Sequence, residues 1–215
     1  MVCTIFAGMK RYALFLFFIV CVFIGYAQRA EVYFATMPQS VLPILDKTAR
    51  LDMIDLYNSN MVAKAENVYG GQAEMLKKTD DFIKIRCTES SSWQMKVLPL
   101  GHDTLIVCIH SVQAVDTSSK VKVYKRDWYS VKRDIPVPSR NHFFRTNVNM
   151  TQERRQQLVT EMCNLPIEMT WSDSEPLLTF TLSKKSLPMC DQEDAEALVR
   201  SVTYKWISGK WVQQQ

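Results

Sequence analysis

Residues 120–145 hold the side chains best suited to binding chemistry. The segment carries eight basic and two acidic residues, with aromatic residues interleaved among them. Basic groups beside aromatic rings can hold an anionic polymer, because the cations offset its charge and the rings stack on its planar groups. The alternative, which the composition favours, is a solvated strand face with aromatic residues in the core. The binding hypothesis rests on Lys125, Arg126, Trp128, Tyr129, Lys132 and Arg133.

Residues with catalytic or metal-ligating chemistry are scattered. No H-E-x-x-H motif occurs and no two histidines have a ligand-pair spacing, so we predict no metal site and no cofactor. No G-x-S-x-G motif marks a serine nucleophile, and we predict no catalytic residue. The alternative is an exported hydrolase with an unrecognised active site that draws on His102, Asp103 and His110. Convergence of these three side chains in one cleft would favour the enzyme, and their dispersal would favour a binding module.

The N-terminus has the composition of an export signal. Lys10 and Arg11 precede an uncharged stretch, residues 12–27, which ends in the small residues Gly25 and Ala27 around a tyrosine. These are the features of a secretory signal peptide, so we predict residues 1–27 as the signal and residues 28–215 as a single α+β domain. If that domain divides, we expect the boundary near residues 135–150. An uncleaved anchor is the alternative, since the stretch falls just short of a bilayer span.

Loss of the signal would alter the charge balance. Residues 1–27 contain two of the 26 basic residues and none of the 22 acidic ones, so the remaining chain has a net charge of +2. A charge this small gives no general affinity for polyanions, and we expect no nucleic-acid partner.

Apolar periodicity outlines the first half of the fold. Spacings of three and four predict two helices at about 38–48 and 51–58, broken near Thr48–Arg50, with Thr36 and Gln39 as a capping box. Alternation then predicts an antiparallel meander whose third strand, apolar on both faces, is central. Its strands are expected at residues 82–88, 93–100, 104–112, 120–124 and 128–131.

The second half repeats the mixture of helices and strands. Thr151 is expected to cap a helix at about 152–163, and Asp191 a helix at about 192–201. Strands are predicted at residues 167–171 and 178–182 between these helices. A hairpin turning at Ser208-Gly209 closes the chain and places Trp206 opposite Trp211.

Four cysteines follow residue 27, and none belongs to a C-x-x-C motif. Cys87 and Cys108 fall on the first and third predicted strands, roughly 9–10 Å apart and beyond the reach of a disulfide. Cys163 ends one predicted helix and Cys190 precedes the next, so we predict at most one bridge, Cys163–Cys190. The alternative, which their apolar neighbours favour, is four buried thiols that pack as small hydrophobes.

Several short blocks of the chain resemble a known family. They are Met37-Pro38-Gln39-Ser40-Val41-Leu42-Pro43, Arg50-Leu51-Asp52-Met53-Ile54-Asp55-Leu56, Tyr69-Gly70-Gly71 and Thr79-Asp80-Asp81-Phe82-Ile83-Lys84-Ile85. Together the blocks resemble domain-of-unknown-function family 3256, over about residues 31–213. The resemblance implies an exported protein of anaerobic Gram-negative bacteria, in the periplasm or on the outer surface. It implies no established activity, so no functional residues carry over.

The expected fold is therefore α+β: N-terminal helices, an antiparallel β-meander, then helix–strands–helix–C-terminal β-hairpin. The expected role is a non-catalytic binding or structural module of the bacterial envelope, with an unknown protein or glycan of the envelope as partner. We expect no membrane span after signal cleavage. The oligomeric state is open.

Overall fold

The structure, a computed structural model, describes residues 30–133 and 135–214. The predicted signal peptide, residues 1–27, lies outside them. Within the described residues, no helix is both long and apolar enough to cross a membrane. The helices there are α1 (Ala30–Thr36), α2 (Lys47–Asn58), α3 (Gln152–Met162) and α4 (Met189–Leu198), with a short 3-10 helix at Arg140–Phe143.

A six-stranded antiparallel sheet forms the first half of the fold and confirms the predicted meander. Its strands lie side by side in sequence order, so each connection is local. Two interior strands, β4 and β5, are buried on both faces, as the run of apolar residues on β5 predicts. The strands are β1 (Lys64–Glu66), β2 (Gln72–Lys78), β3 (Phe82–Thr88), β4 (Ser91–Leu100), β5 (Asp103–Gln113) and β6 (Thr117–Lys125).

A four-stranded antiparallel sheet forms the second half, in the order β10-β9-β8-β7. The C-terminal hairpin is confirmed, since Trp206 pairs with Trp211 and their ring centroids are 5.0 Å apart. Ser208 and Gly209 both have positive φ, at 48° and 85°, as the tightest hairpin turns require. The strands are β7 (Ile167–Trp171), β8 (Leu177–Leu182), β9 (Val202–Ile207) and β10 (Lys210–Gln213).

Two hydrophobic cores lie on opposite faces of the six-stranded sheet. Helices α1 and α2 cover one face, where Phe34 and Met53 pack with Ile85 and Trp93. The four-stranded sheet covers the other face together with α3 and α4. Alternate residues of β3, β4, β5 and β6 therefore enter different cores, and the molecule is a three-layer α+β structure. These layers confirm the expected fold class.

Side chains of the six-stranded sheet accept hydrogen bonds from backbone N–H groups of β7, the edge strand of the smaller sheet. The backbone N–H of Met169 donates to Ser119 Oγ and that of Trp171 to Gln94 Oε1, each at 3.0 Å. Unpaired edge groups invite pairing with other chains, and these bonds remove that hazard from one side of β7. They also attach β7 to the inner face of the larger sheet at two positions.

The predicted N-terminal helices are wrong in position. Helix α1 ends at Thr36, the residue predicted to begin a helix as part of the capping box. Residues 38–45 form turns instead of a helix, because Arg50 donates to the carbonyls of Met37 and Leu45 and holds the segment in place. Helix α2 begins after Asp46, whose carboxylate caps the N–H of Ala49 at 2.8 Å, and it runs unbroken through the predicted break.

Three further differences have local causes. Residues 128–131 form no strand, since the chain turns sharply at Trp128 and only Ser130 makes a single bridge to β6. The last helix begins at Met189 with Pro188 at its N-cap, so Asp191 lies inside the first turn and is not its cap. Strands β1 and β2 were not predicted, because the β2 sequence QAEMLKK has weak strand propensity and pairing with β3 decides its conformation. The Thr151 cap of α3 is confirmed.

Candidate functional site

The residues of the binding hypothesis form a tight loop after β6, which we call the basic loop (residues 125–133). The N–H of Trp128 donates to the carbonyl of Lys125 at 2.9 Å, and the N–H of Lys125 donates to the carbonyl of Tyr129 at 3.0 Å. The side chain of Asp127 accepts a hydrogen bond from the N–H of Tyr129 at 3.1 Å. An aspartate that binds the backbone two residues ahead stabilises a turn, so the loop is ordered by its own contacts.

Trp128 braces the loop against the first core. Its φ is +64°, a left-handed conformation that costs a bulky residue roughly 1–2 kcal/mol. Its ring packs edge-on against Tyr124 at a centroid distance of 5.4 Å, and its buried indole N–H has no partner among the described residues. Strained conformations persist where surrounding packing over-determines them, and they cluster at ligand-binding sites.

Arg133 braces the end of the loop against the second sheet. Its guanidinium lies 5.2 Å from the ring centroid of Trp206 and donates to the carbonyl of Gly209 at 3.0 Å. A cation over an indole ring is a stabilising contact. Within the predicted binding set, Arg133 and Trp128 are therefore occupied by contacts inside the protein.

The other four predicted residues face solvent. Lys125, Arg126 and Lys132 are exposed, and Tyr129 is 70% exposed. Across the part of the chain that the structure describes, none of the three cations forms an ion pair. The basic loop thus presents three cations without an ion pair and one exposed aromatic ring, together with the exposed carboxylate of Asp127.

The other basic residues of segment 120–145 do not join the loop. Lys120 and Lys122 lie on β6, opposite His110 and Cys108 of β5. Arg140 donates to the carbonyl of Leu165 at 2.5 Å and is tied to the second half of the fold. The candidate anionic-ligand surface is therefore narrower than the sequence segment.

The candidate hydrolase residues do not converge. His102 lies in the turn before β5, Asp103 begins that strand, and His110 lies seven residues beyond Asp103, about 24 Å along an extended chain. The Asp103 carboxylate accepts from the N–H of Thr104 at 2.8 Å. Desolvation and the nearby Lys120 cation lower the pKa of His110. These positions do not bring the three side chains into one cleft.

The four cysteines fall into two classes. Cys87 and Cys108 are buried free thiols, and burial raises the pKa of Cys87 to about 12 and also raises that of Cys108. Cys163 and Cys190 are free and exposed, so the expectation of four buried thiols is wrong for these two. The Cys163–Cys190 bridge stays a prediction.

The sequence analysis missed a polar groove between the two sheets. It has a volume of about 230 Å³ and is lined mainly by hydroxyl-bearing and charged side chains from β3 to β6. Glu168 of β7 and Lys185, which follows β8, line it from the second half of the fold. One signal is present in the sequence, since the Ser90-Ser91-Ser92 run forms part of its wall. Among the described residues, no group of three or more histidine, cysteine or acidic side chains is placed to hold a metal ion.

Comparison with known proteins supports the fold and one family. The solved structure of a domain of an uncharacterized protein from Porphyromonas gingivalis W83 is similar, with a TM-score of 0.71 and 21% sequence identity. The similarity covers 86% of this chain and 96% of that domain, and at this identity it shows the fold alone. No curated protein matches the chain. The family described as "Protein of unknown function (DUF3256)" matches residues 23–211, and the chain belongs to this family.

Proposed function

We propose that the protein is an exported, non-catalytic binding module of the Gram-negative envelope that holds an anionic polymer on its basic loop. The observation that carries the proposal is the exposure of Lys125, Arg126, Lys132 and Tyr129 on one braced loop. Exposed cations that lack internal partners can exchange their counterions for a polyanion, and an exposed ring can stack on it. The partner class is an acidic glycan of the envelope.

The two braces add to this proposal because they reduce the cost of binding. Trp128 holds the middle of the loop and Arg133, its last residue, holds its end, in separate parts of the structure. A loop already held in one conformation loses less conformational entropy when it binds its partner. The alternative interpretation of the segment, a solvated strand face, does not require the contacts of Trp128 with Tyr124 or of Arg133 with Trp206.

Heparin retention tests the binding surface. The triple variant Lys125→Ser, Arg126→Ser, Lys132→Ser should elute from a heparin column at markedly lower salt than the wild type, because three ionic contacts are lost. The matched control is the triple variant Lys47→Ser, Lys64→Ser, Lys210→Ser, which removes the same charge from exposed positions elsewhere. Equal elution of the two variants would show that net charge alone sets retention, and the proposal would fail.

N-terminal sequencing of the natural protein tests the proposed export. We expect the protein to be recovered from the envelope fraction with Gln28 as its first residue, since residues 1–27 have the features of a cleaved signal. Recovery of an intact leader on a cytosolic species would contradict this part of the proposal.

A further inference from the structure

The polar groove lies at the end of the six-stranded sheet opposite to the basic loop. Thr117, the first residue of β6, lines the groove, whereas Lys125, the last, begins the loop. Eight residues of extended chain separate the two, about 27 Å. The groove uses no residue of the basic loop, so the two sites can be tested independently.

Buried hydroxyl groups form the floor of the groove. Along β5, Val107 and Ile109 point into the second core, but the next residue on that face is Ser111. The same change occurs on β6, where Val123 and Val121 are followed by Ser119 and then Thr117. Inner faces of packed sheets are normally apolar. Ser111 and Thr117 are only 6% and 5% exposed, so these hydroxyls occupy positions where apolar side chains are expected.

Packing between the sheets accounts for only part of this polarity. Ser119 Oγ accepts from the N–H of Met169 and lies 2.7 Å from Ser111 Oγ, so these two hydroxyls serve the edge of β7. The side chains of Thr117 and Ser92 have no hydrogen-bond partner among the described residues, and both line the groove. Neither hydroxyl oxygen is among the buried atoms that lack a partner, so solvent reaches both, and a ligand in the groove can take the place of that water.

Cations stand at both ends of the groove. Lys84 lies on β3 at one end, and Lys185 follows β8 at the other, beside the turn that holds the start of β6. Within the described ranges, neither ammonium group has an ion-pair or hydrogen-bond partner. The floor between β3 and β6 spans three strand spacings, about 14 Å. Arg86 also lines the groove but is paired with Glu74. The lining includes the carboxylates of Glu89 and Glu168, and among the described residues neither forms an ion pair with Lys84 or Lys185.

We infer that this groove binds a short acidic saccharide, with sugar hydroxyls on the Ser92 and Thr117 side chains and carboxylates beside Lys84 and Lys185. The inference goes beyond the basic loop and would stand if that loop bound nothing. The volume of about 230 Å³ is smaller than that of most small-molecule pockets, so part of the saccharide remains in solvent. Buried hydroxyl groups discriminate strongly against ligands that cannot hydrogen-bond to them.

Titration of the full chain, followed by NMR shifts of the Ser111 and Thr117 amides, tests the inference. The probe is a hyaluronan tetrasaccharide, and the comparison ligands are a neutral chitin tetrasaccharide and inorganic phosphate. We expect saturable shifts with hyaluronan, at least tenfold weaker binding of the chitin fragment, and no saturable shift with phosphate. The double variant Lys84→Ala, Lys185→Ala should weaken hyaluronan binding at least tenfold, and the charge-matched control Lys47→Ala, Lys64→Ala should not.

Each contrary result overturns a defined part of the inference. If the chitin fragment binds as tightly as hyaluronan, the groove does not prefer acidic ligands. If phosphate binds as tightly as hyaluronan, the groove does not recognise a saccharide. No saturable shift with any probe removes the site. Because Lys84 is partly buried, the nearly isosteric Thr117→Val variant gives a second test that keeps both cations, and it should also weaken binding. The basic-loop triple variant should leave this titration unchanged, so failure of the groove and failure of the loop are distinguishable.

Discussion

Lys96 and Asp81 form an ion pair in which Nζ lies 2.9 Å from Oδ2, and the two side chains differ sharply in their exposure to solvent. The lysine side chain is 0% exposed, whereas the aspartate side chain is 43% exposed. Lys96 Nζ also donates to the carbonyl of Ser172 at 3.3 Å and lies 5.5 Å from the ring centroid of Phe82. One ammonium group therefore joins β3, β4 and the end of β7, and its own side chain is closed to solvent.

Removal of the aspartate should cost more stability than removal of the lysine. The Asp81→Ala variant leaves a charged ammonium buried without its counterion, and we expect the free energy of unfolding to fall by about 3 kcal/mol. The Lys96→Met variant fills the same space with an apolar chain and leaves Asp81 in contact with water, so we expect a change of about 1 kcal/mol or less. Urea unfolding at pH 7 measures both values.

The exposed pair Lys77–Asp173 is the control for this asymmetry. Its side chains are 45% and 52% exposed, and loss of either should change the free energy of unfolding by less than about 1 kcal/mol. If Lys96→Met destabilised the protein as much as Asp81→Ala, the lysine would be contributing by its own packing, and the asymmetric account of the pair would be wrong.

Asp116 should make stability depend on pH. Burial by itself raises the pKa of this carboxyl group, but hydrogen bonds from Ser186, Ser183 and Lys185 outweigh burial and lower the pKa below its ordinary value of 3.8. The stabilisation is complete above pH 3.8 and is lost as the pH falls through the lower folded-state pKa. We expect Asp116→Asn to be about 1–2 kcal/mol less stable than the wild type at pH 7. Urea unfolding at pH 7, 5 and 3 should show this gap closing below pH 4, and a constant gap would contradict the assignment.

Patterns that reflect burial were readable from the sequence. The alternating residues of β3 and the apolar run of β5 predicted the meander, and the turn at Ser208-Gly209 predicted the Trp206–Trp211 pair. Patterns that depend on distant partners were not readable. Residues 38–45 have helical periodicity, but Pro43 removes a backbone donor and Arg50 binds the carbonyl groups on both sides of the segment. No local rule assigns that arginine to those carbonyls.

The candidate sites divide in the same way. Composition alone identified the basic loop, but it could not separate the exposed Lys132 from the neighbouring Arg133, whose partner Trp206 lies 73 positions further along the chain. The groove escaped notice because its floor comes from inner-face positions of separate strands and its Lys185 from the second half of the chain. Only the packing of one sheet on the other brings these side chains together.

Arg133 should contribute to stability, unlike the other cations of the basic loop. Arg133→Ser removes both the contact with the Trp206 ring and the hydrogen bond to Gly209, and we expect the free energy of unfolding to fall by about 1–2 kcal/mol. Lys132→Ser, at the adjacent exposed position, should change it by about 0.5 kcal/mol or less. Thermal unfolding of the two single variants measures the difference. Equal stability of both would mean that the brace has no energetic role and that Arg133 is free to bind ligand.

Exposure should determine which thiols react. Under native conditions at pH 8, iodoacetamide should modify Cys163 and Cys190 within minutes and leave Cys87 and Cys108 unmodified, because the latter two are buried and their thiol pKa is raised. Peptide mass spectrometry gives the extent of modification at each site, and modification in 8 M urea is the control, since all four should then react. Under non-reducing conditions the same spectra test the predicted Cys163–Cys190 bridge, which would protect both exposed residues. A bridge between Cys87 and Cys108 would contradict the strand order, because β4 lies between the strands that carry them.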